Sequence, residues 1–199
     1  MTDIVLSNRR LSPGAKHALG LFARYATIFG LALMLVAFAI LSPKAFPTVN
    51  NFTNVINQAS LAMIIARGLT QAVIVGELDL SIGFAASLHG VLVTGLIVRS
   101  GLPISVSVAL ILLAGALIGL VNGFIVTKIR VNSVIATLGV GTILTGLTFA
   151  YSGGAPIVAG VPEAFLQISL GRWLFGIPNN IVIMAVVLGG LWLLVEKSA

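Results

Sequence analysis

The chain has 199 residues, 58% of them hydrophobic and 8% charged, with a mean hydropathy of +1.15. Soluble domains carry roughly a quarter charged residues, so this composition belongs in a bilayer and excludes an ordinary soluble enzyme. The net charge of +6 is read as a topology signal rather than as nucleic-acid affinity, and the absence of cysteine excludes disulfides and thiolate metal sites.

Hydropathy predicts an all-α, polytopic transmembrane helix bundle of about six spans, at about 22–41, 55–75, 82–98, 103–126, 133–150 and 181–195. Each is near the roughly 20 residues that cross about 30 Å of hydrocarbon as a helix. Residues 1–21 read as a cytoplasmic N-terminal segment and 22–199 as a transmembrane domain. The first apolar run is too long for a removable signal peptide and lacks a small-residue cleavage site, so it is read as a retained helix.

The second span carries Arg67. An arginine near mid-span costs a few kcal/mol on insertion scales and should meet an acid, a cavity or the interface. Glu77 is ten residues on, about 15 Å along a helix and too far for a direct pair, so a buried Arg67 needs a partner on another helix or subunit. A functional pore residue and a locally accommodated arginine remain equal readings.

GELDLSIG at 76–83 follows, placing Glu77 and Asp79 in a stretch otherwise almost without charge. A carboxylate pair in a short solvated loop is the plainest reading. Yet Leu78 and Leu80 keep the segment apolar, and Gly76 and Gly83 bracket it, which is the sign of a discontinuous helix whose freed backbone groups are satisfied inside the protein or by a cavity. Asp79 and Ser81 are placed to cap the helix beginning near Ile82, where an acid also complements the dipole. Capping is the first explanation of Asp79 and a polar cavity lining the second.

In the third span Gly83, Ser87, Gly90 and Thr94 share a narrow arc, and in the fourth Gly115, Gly119 and Gly123 recur every four residues. Both stripes read as surfaces for close helix approach. His89 lies off the first stripe, and a hydrogen bond to a neighbouring carbonyl is favoured over ligand chemistry. Asn122 falls on the second stripe, as interhelical glue or as pathway lining, with glue favoured. The connection at 151–180, rich in Gly and Pro, is a plain structural loop or a surface for an external partner.

Basic residues set the orientation. With the N-terminus inside, Arg9, Arg10, Lys16, Arg24, Lys128, Arg130 and Lys197 are cytoplasmic, against Lys44, Arg99 and Arg172 outside. The chain contains neither HExxH, GxSxG nor GxxxxGK[ST], so a P-loop ATPase in this chain is excluded and any ATP hydrolysis must come from another subunit. Neither cofactor nor metal is expected.

The run ARGLTQAVIVGELDLSIG at 66–83 resembles the ALGMTLVILTGGIDLSVG-type signature of inner-membrane permease subunits of ABC importers for ribose, xylose, galactose and related monosaccharides, within the branched-chain amino acid/sugar permease superfamily. GLVNGFIVTKIRVNSVIATLG at 119–139 is similar to the same family's GxxNGxLVxxxxVPxFIATLG segment. The resemblance implies a permease homodimer in a bacterial inner membrane, driven by a cytoplasmic ATP-binding-cassette subunit and supplied by a periplasmic sugar-binding protein. It marks Gly76, Asp79, Leu80, Ser81 and Gly83, then Asn122, Gly123, Ala136, Thr137, Leu138 and Gly139, as motif positions near the pathway or the dimer-side packing. Glu77, Arg67, Asn132 and Val134 depart from the pattern. Family members are longer and carry a TxxGRxxxAIGGN-like stretch beyond the point reached at VEKSA, so the chain is read as an N-terminal portion of a permease. An ion-coupled secondary transporter or small channel, a non-transporting scaffold and, least of all, an intramembrane enzyme are the competing classes.

Overall fold

The computed structural model describes residues 13–198, with side-chain surroundings from 24 to 197. Arg9 and Arg10 of the expected cytoplasmic segment lie outside the described residues. Seven helices follow in chain order: α1 (Pro13–Leu41), α2 (Val49–Ile74), α3 (Ile82–Val98), α4 (Ile104–Thr127), α5 (Ser133–Ser152), α6 (Glu163–Leu170) and α7 (Asn179–Ser198). They form two compact units, one reaching Phe52 and one running from Thr53 onward.

In the first unit α1 presents an apolar window, Arg24–Leu41, of which none is buried within the chain. Such a surface is stable only against lipid or another protein. The turn after it is held by stacking of Phe38 on Phe46, with ring centroids 5.4 Å apart. Thr48 Oγ1 then accepts the Asn51 N–H at 3.2 Å and caps the start of α2.

In the second unit α3, α4 and α5 pack on one another, and α6 and α7 form a separate pair. Ala85 and Leu88 of α3 and Leu144 of α5 are buried together, with Leu92, Ile118 and Val140 against them. Asn179, 2% exposed, ties α6 to α7: it accepts the Trp173 N–H at 2.9 Å and donates to the Gln167 carbonyl at 2.8 Å.

Helices occupy all six expected positions, and four of them, α1, α4, α5 and α7, are long and apolar enough to cross a membrane. The other two fall short for different reasons. α3 has only 17 residues, while α2 has 26 and is diluted by asparagine, glutamine and Arg67. The short helix α6 inside the 151–180 connection was not expected from hydropathy, because eight residues are too few to show a period.

The small-residue stripe of α3 does not serve its expected role within the chain. Gly83, Ser87 and Gly90 are exposed, and nothing lies within 4 Å of a Cβ built on Gly83 or Gly90. At 100° per residue the stripe lies about 180° from the Ala85, Leu88 and Leu92 face that makes the core. Larger side chains bury more area, and they took the inward face. The close approaches occur elsewhere: Gly95 lies against the Tyr151 ring and Gly141 against Phe84, where any Cβ would overlap the rings.

Candidate functional site

Two sequence-distant segments meet at one end of the α3–α5 bundle. α2 ends at Gly76, whose φ of +84° is a left-handed conformation that glycine adopts without penalty. The Glu77 N–H reaches back to the Ala72 carbonyl and the Gly76 N–H to that of Val73, both at 3.0 Å, which closes the helix with a Schellman motif. From Glu77 to Leu80 the chain has no regular secondary structure before α3 begins. The expected discontinuous helix is therefore present.

The amides freed by this break find partners on α5. The Leu78 N–H donates to Ser133 Oγ at 3.3 Å and the Leu80 N–H to Thr137 Oγ1 at 3.1 Å. Thr137, 2% exposed, passes its own hydroxyl proton to the Ser133 carbonyl at 2.7 Å. Two hydroxyls one helical turn apart thus take up two of the amides that the break frees. The register of α5 is set beneath them by Asn132, whose Oδ1 accepts the N–H groups of Val134 at 3.0 Å and Ile135 at 3.3 Å.

Asp79 closes a turn just ahead of α3, its Oδ1 accepting both the Ser81 N–H at 2.8 Å and the Ser81 hydroxyl at 2.6 Å, so that it holds the N-cap residue and not the first helical amides expected of it. Ser81 corrects the expectation. It occupies the N-cap position of α3, yet its side chain makes no capping bond to the helix. The hydroxyl instead lies between Asp79 and Asn122, accepting the Asn122 amide at 2.7 Å. Competition decides this, since a bond to a carboxylate is stronger than one to a helix amide. Asn122 acts as interhelical glue between α4 and α3, and it also lines a cavity.

That cavity, of about 220 Å³, is bounded by Ala72 and Val75 of α2, by Glu77, Leu78 and Asp79, by Gly119, Asn122, Gly123, Val126 and Thr127 of α4, and by Ser133 and Thr137 of α5. Of the two explanations of Asp79, the cavity lining is found here, while its hydrogen bonds stop at Ser81. Gly119 and Gly123 leave open space where side chains would fill it. Gly83, Leu138 and Gly139 are exposed and outside the lining, and Ala136 is buried beside Thr137. Leu80 joins the site through its backbone.

Arg67 and His89 stay apart from it. Arg67 is half-buried on α2 and forms no ion pair among the described residues. It shares a face with Asn57, Ser60 and Gln71 within an arc of about 80°. Asn57 Oδ1 and Gln71 Nε2 are buried there without a hydrogen-bond partner among the described residues. The carbonyl expected for His89 is missing too. Its Nε2 is buried and unpaired among the described residues, and its ring packs over Gly115.

At the opposite end of the bundle Arg99 donates to the carbonyls of Tyr151, at 2.5 Å, and Ser152, at 3.3 Å, with its guanidinium 5.5 Å from the Tyr151 ring centroid. Sequence reading missed this clamp, the α2 polar face and Ser133. Only the last had a local signal, the Asn-Ser pair preceding an apolar run.

Comparison with known proteins places these segments in a wider group. Residues 51–199 match the family described as branched-chain amino acid transport system / permease component. The ribose import permease protein of Haemophilus influenzae is 34% identical over 86% of this chain and 53% of its own length. That of Bacillus subtilis is 33% identical over 92% and 56%, and the D-allose transport system permease protein of Escherichia coli 30% identical over 87% and 53%. The chain spans about half the length of these relatives. No solved structure matches it.

Proposed function

Because the chain belongs to the branched-chain amino acid transport system / permease component family, we propose that it forms part of the membrane pathway by which an ATP-binding-cassette importer moves a monosaccharide inward. It is a multi-pass membrane protein. The observation that carries the reading is the joining of the two motif segments: 78–81 is bonded to Ser133 and Thr137 on α5 and to Asn122 on α4. A break so placed opens a cavity with Asp79 and Asn122 on its wall while α5 hydroxyls take up the freed Leu78 and Leu80 amides, which is how transport proteins admit irregular backbone.

Residues 22–199 are then membrane domain, in a bacterial inner membrane with the N-terminus cytoplasmic. Lys128 and Arg130 beside the cavity end lie inside and Arg99 with Arg172 outside. The energy comes from a separate ATP-binding-cassette subunit on the cytoplasmic side and the solute from a periplasmic sugar-binding protein. The permease itself works as a homodimer, takes no cofactor and contacts no nucleic acid. Its chemistry is passage, not bond-making.

The test is reconstitution of the permease in vesicles with the ATPase and binding protein, following labelled D-ribose and D-allose. Uptake that requires ATP and the binding protein is expected. Uptake driven by a proton or sodium gradient without the ATPase would overturn the importer in favour of an ion-coupled carrier.

A further inference from the structure

The cavity beside Asp79 has a one-sided chemistry. Asn122 on its wall is 5% exposed; its amide nitrogen is committed to Ser81, while its Oδ1 is buried without a partner among the described residues. A buried acceptor left unpaired costs free energy that an incoming donor recovers. Glu77 and Asp79 add carboxylates to the same wall, and neither Lys, Arg nor His lines it. Lys128 and Arg130 are exposed beyond the end of α4 and outside the lining. The hydroxyl protons of Thr127 and Thr137 are already given to carbonyls of their own helices, each at 2.7 Å.

What remains on offer is mainly acceptors and negative charge. The volume of about 220 Å³ equals several waters at roughly 30 Å³ each, room for a single sugar ring. We propose that this cavity is a binding station for one neutral or cationic polyol, whose hydroxyl or ammonium protons are accepted by Asn122 Oδ1, Glu77 and Asp79, and that it rejects sugar acids. An anion there meets two carboxylates on one wall with no cation among the lining residues. The station rests on the importer reading for its place on a transport path, and its chemistry is tested apart from it.

The experiment uses the purified permease in lipid nanodiscs and saturation-transfer NMR, with D-ribose, D-glucosamine and D-gluconate as probes. Ribose and glucosamine receive saturation and gluconate does not. Asn122→Leu weakens both sugars by about tenfold or more, the effect of one lost buried hydrogen bond. Glu77→Gln, at an exposed position, weakens glucosamine by about fivefold and ribose by less, because the amide keeps an oxygen acceptor and loses only the charge. Gluconate binding as strongly as glucosamine, or glucosamine binding indifferent to Glu77→Gln, overturns the proposal even if Asn122→Leu fails to fold. Measured alongside, ATP-driven ribose uptake without binding at this cavity overturns the station and leaves the importer standing. Binding without uptake in the assembled system does the reverse.

Discussion

The two ends of the α3–α5 bundle are secured in opposite ways. At the Asp79 end the ties are hydrogen bonds between residues far apart in sequence: Leu78 to Ser133 and Leu80 to Thr137, both partly buried, and Asn122 to Ser81, fully buried. At the Arg99 end one exposed guanidinium spans two carbonyls and an aromatic ring, while Gly95 lets Tyr151 lie against α3. The first end has broken backbone to satisfy and draws its partners from α4 and α5. The second has whole helices and loops that water can reach. Where backbone leaves the helix, its freed N–H groups call for partners elsewhere in the fold, whereas an intact helix end needs mainly packing.

Substitutions at both ends test that contrast, and the largest effect belongs to Asp79→Ala. It removes the acceptor of two bonds, and bonds to a charged group contribute about 1.5–3 kcal/mol each, so a loss of about 3 kcal/mol is expected in chemical denaturation of the detergent-solubilised protein. Asp79→Asn keeps an oxygen acceptor and recovers most of it; equal damage by both variants would show that charge, not hydrogen bonding, holds the turn.

Thr137→Val is nearly isosteric and strands the Leu80 N–H, with a loss of about 1–3 kcal/mol. Amide hydrogen exchange at Leu80 should accelerate markedly in Thr137→Val and return toward normal in Thr137→Ser. Unchanged exchange would refute the stitching of the break to α5.

At the other end Gly95→Val drives a side chain into the Tyr151 ring, and overpacking of this kind costs about 1–3 kcal/mol. Tyr151 is near the helix end and can swing aside, so the lower part of that range is expected, read as a drop in thermal midpoint. A loss exceeding that of Asp79→Ala would invert the ranking of the two ends.

The smallest effect is that of Arg99→Ala, about 0.5–1 kcal/mol for an exposed cation over a ring. Raising salt should shrink it further. A salt-insensitive loss above that range would mean that the Arg99 end is as desolvated as the Asp79 end.

Much of this was legible in one dimension. Apolar runs located the helices because membrane spans are long and their solvent is uniform. Gly76 and Asp79 announced the break because a left-handed helix end and a capped turn are local events, decided within five residues. The small-residue stripe of α3 was equally visible and equally local, yet it faces outward. A periodic pattern identifies a face without saying which neighbour meets it. His89 shows the same limit, since its expected carbonyl would have had to come from another helix and Gly115 came instead.

Sequence alone determined that this chain lives in a membrane, where its long helices run and where the second of them breaks, because each follows from short-range composition or spacing, and the resemblance of its two motifs pointed to the family. Tertiary structure decided what the break is for. Ser133 and Thr137 lie 55 and 57 residues from the amides they satisfy, and Asn122 lies 41 from Ser81. Such pairs exist only after α4 and α5 have packed on α3, and packing is what converts scattered hydroxyls and one amide into the wall of a cavity.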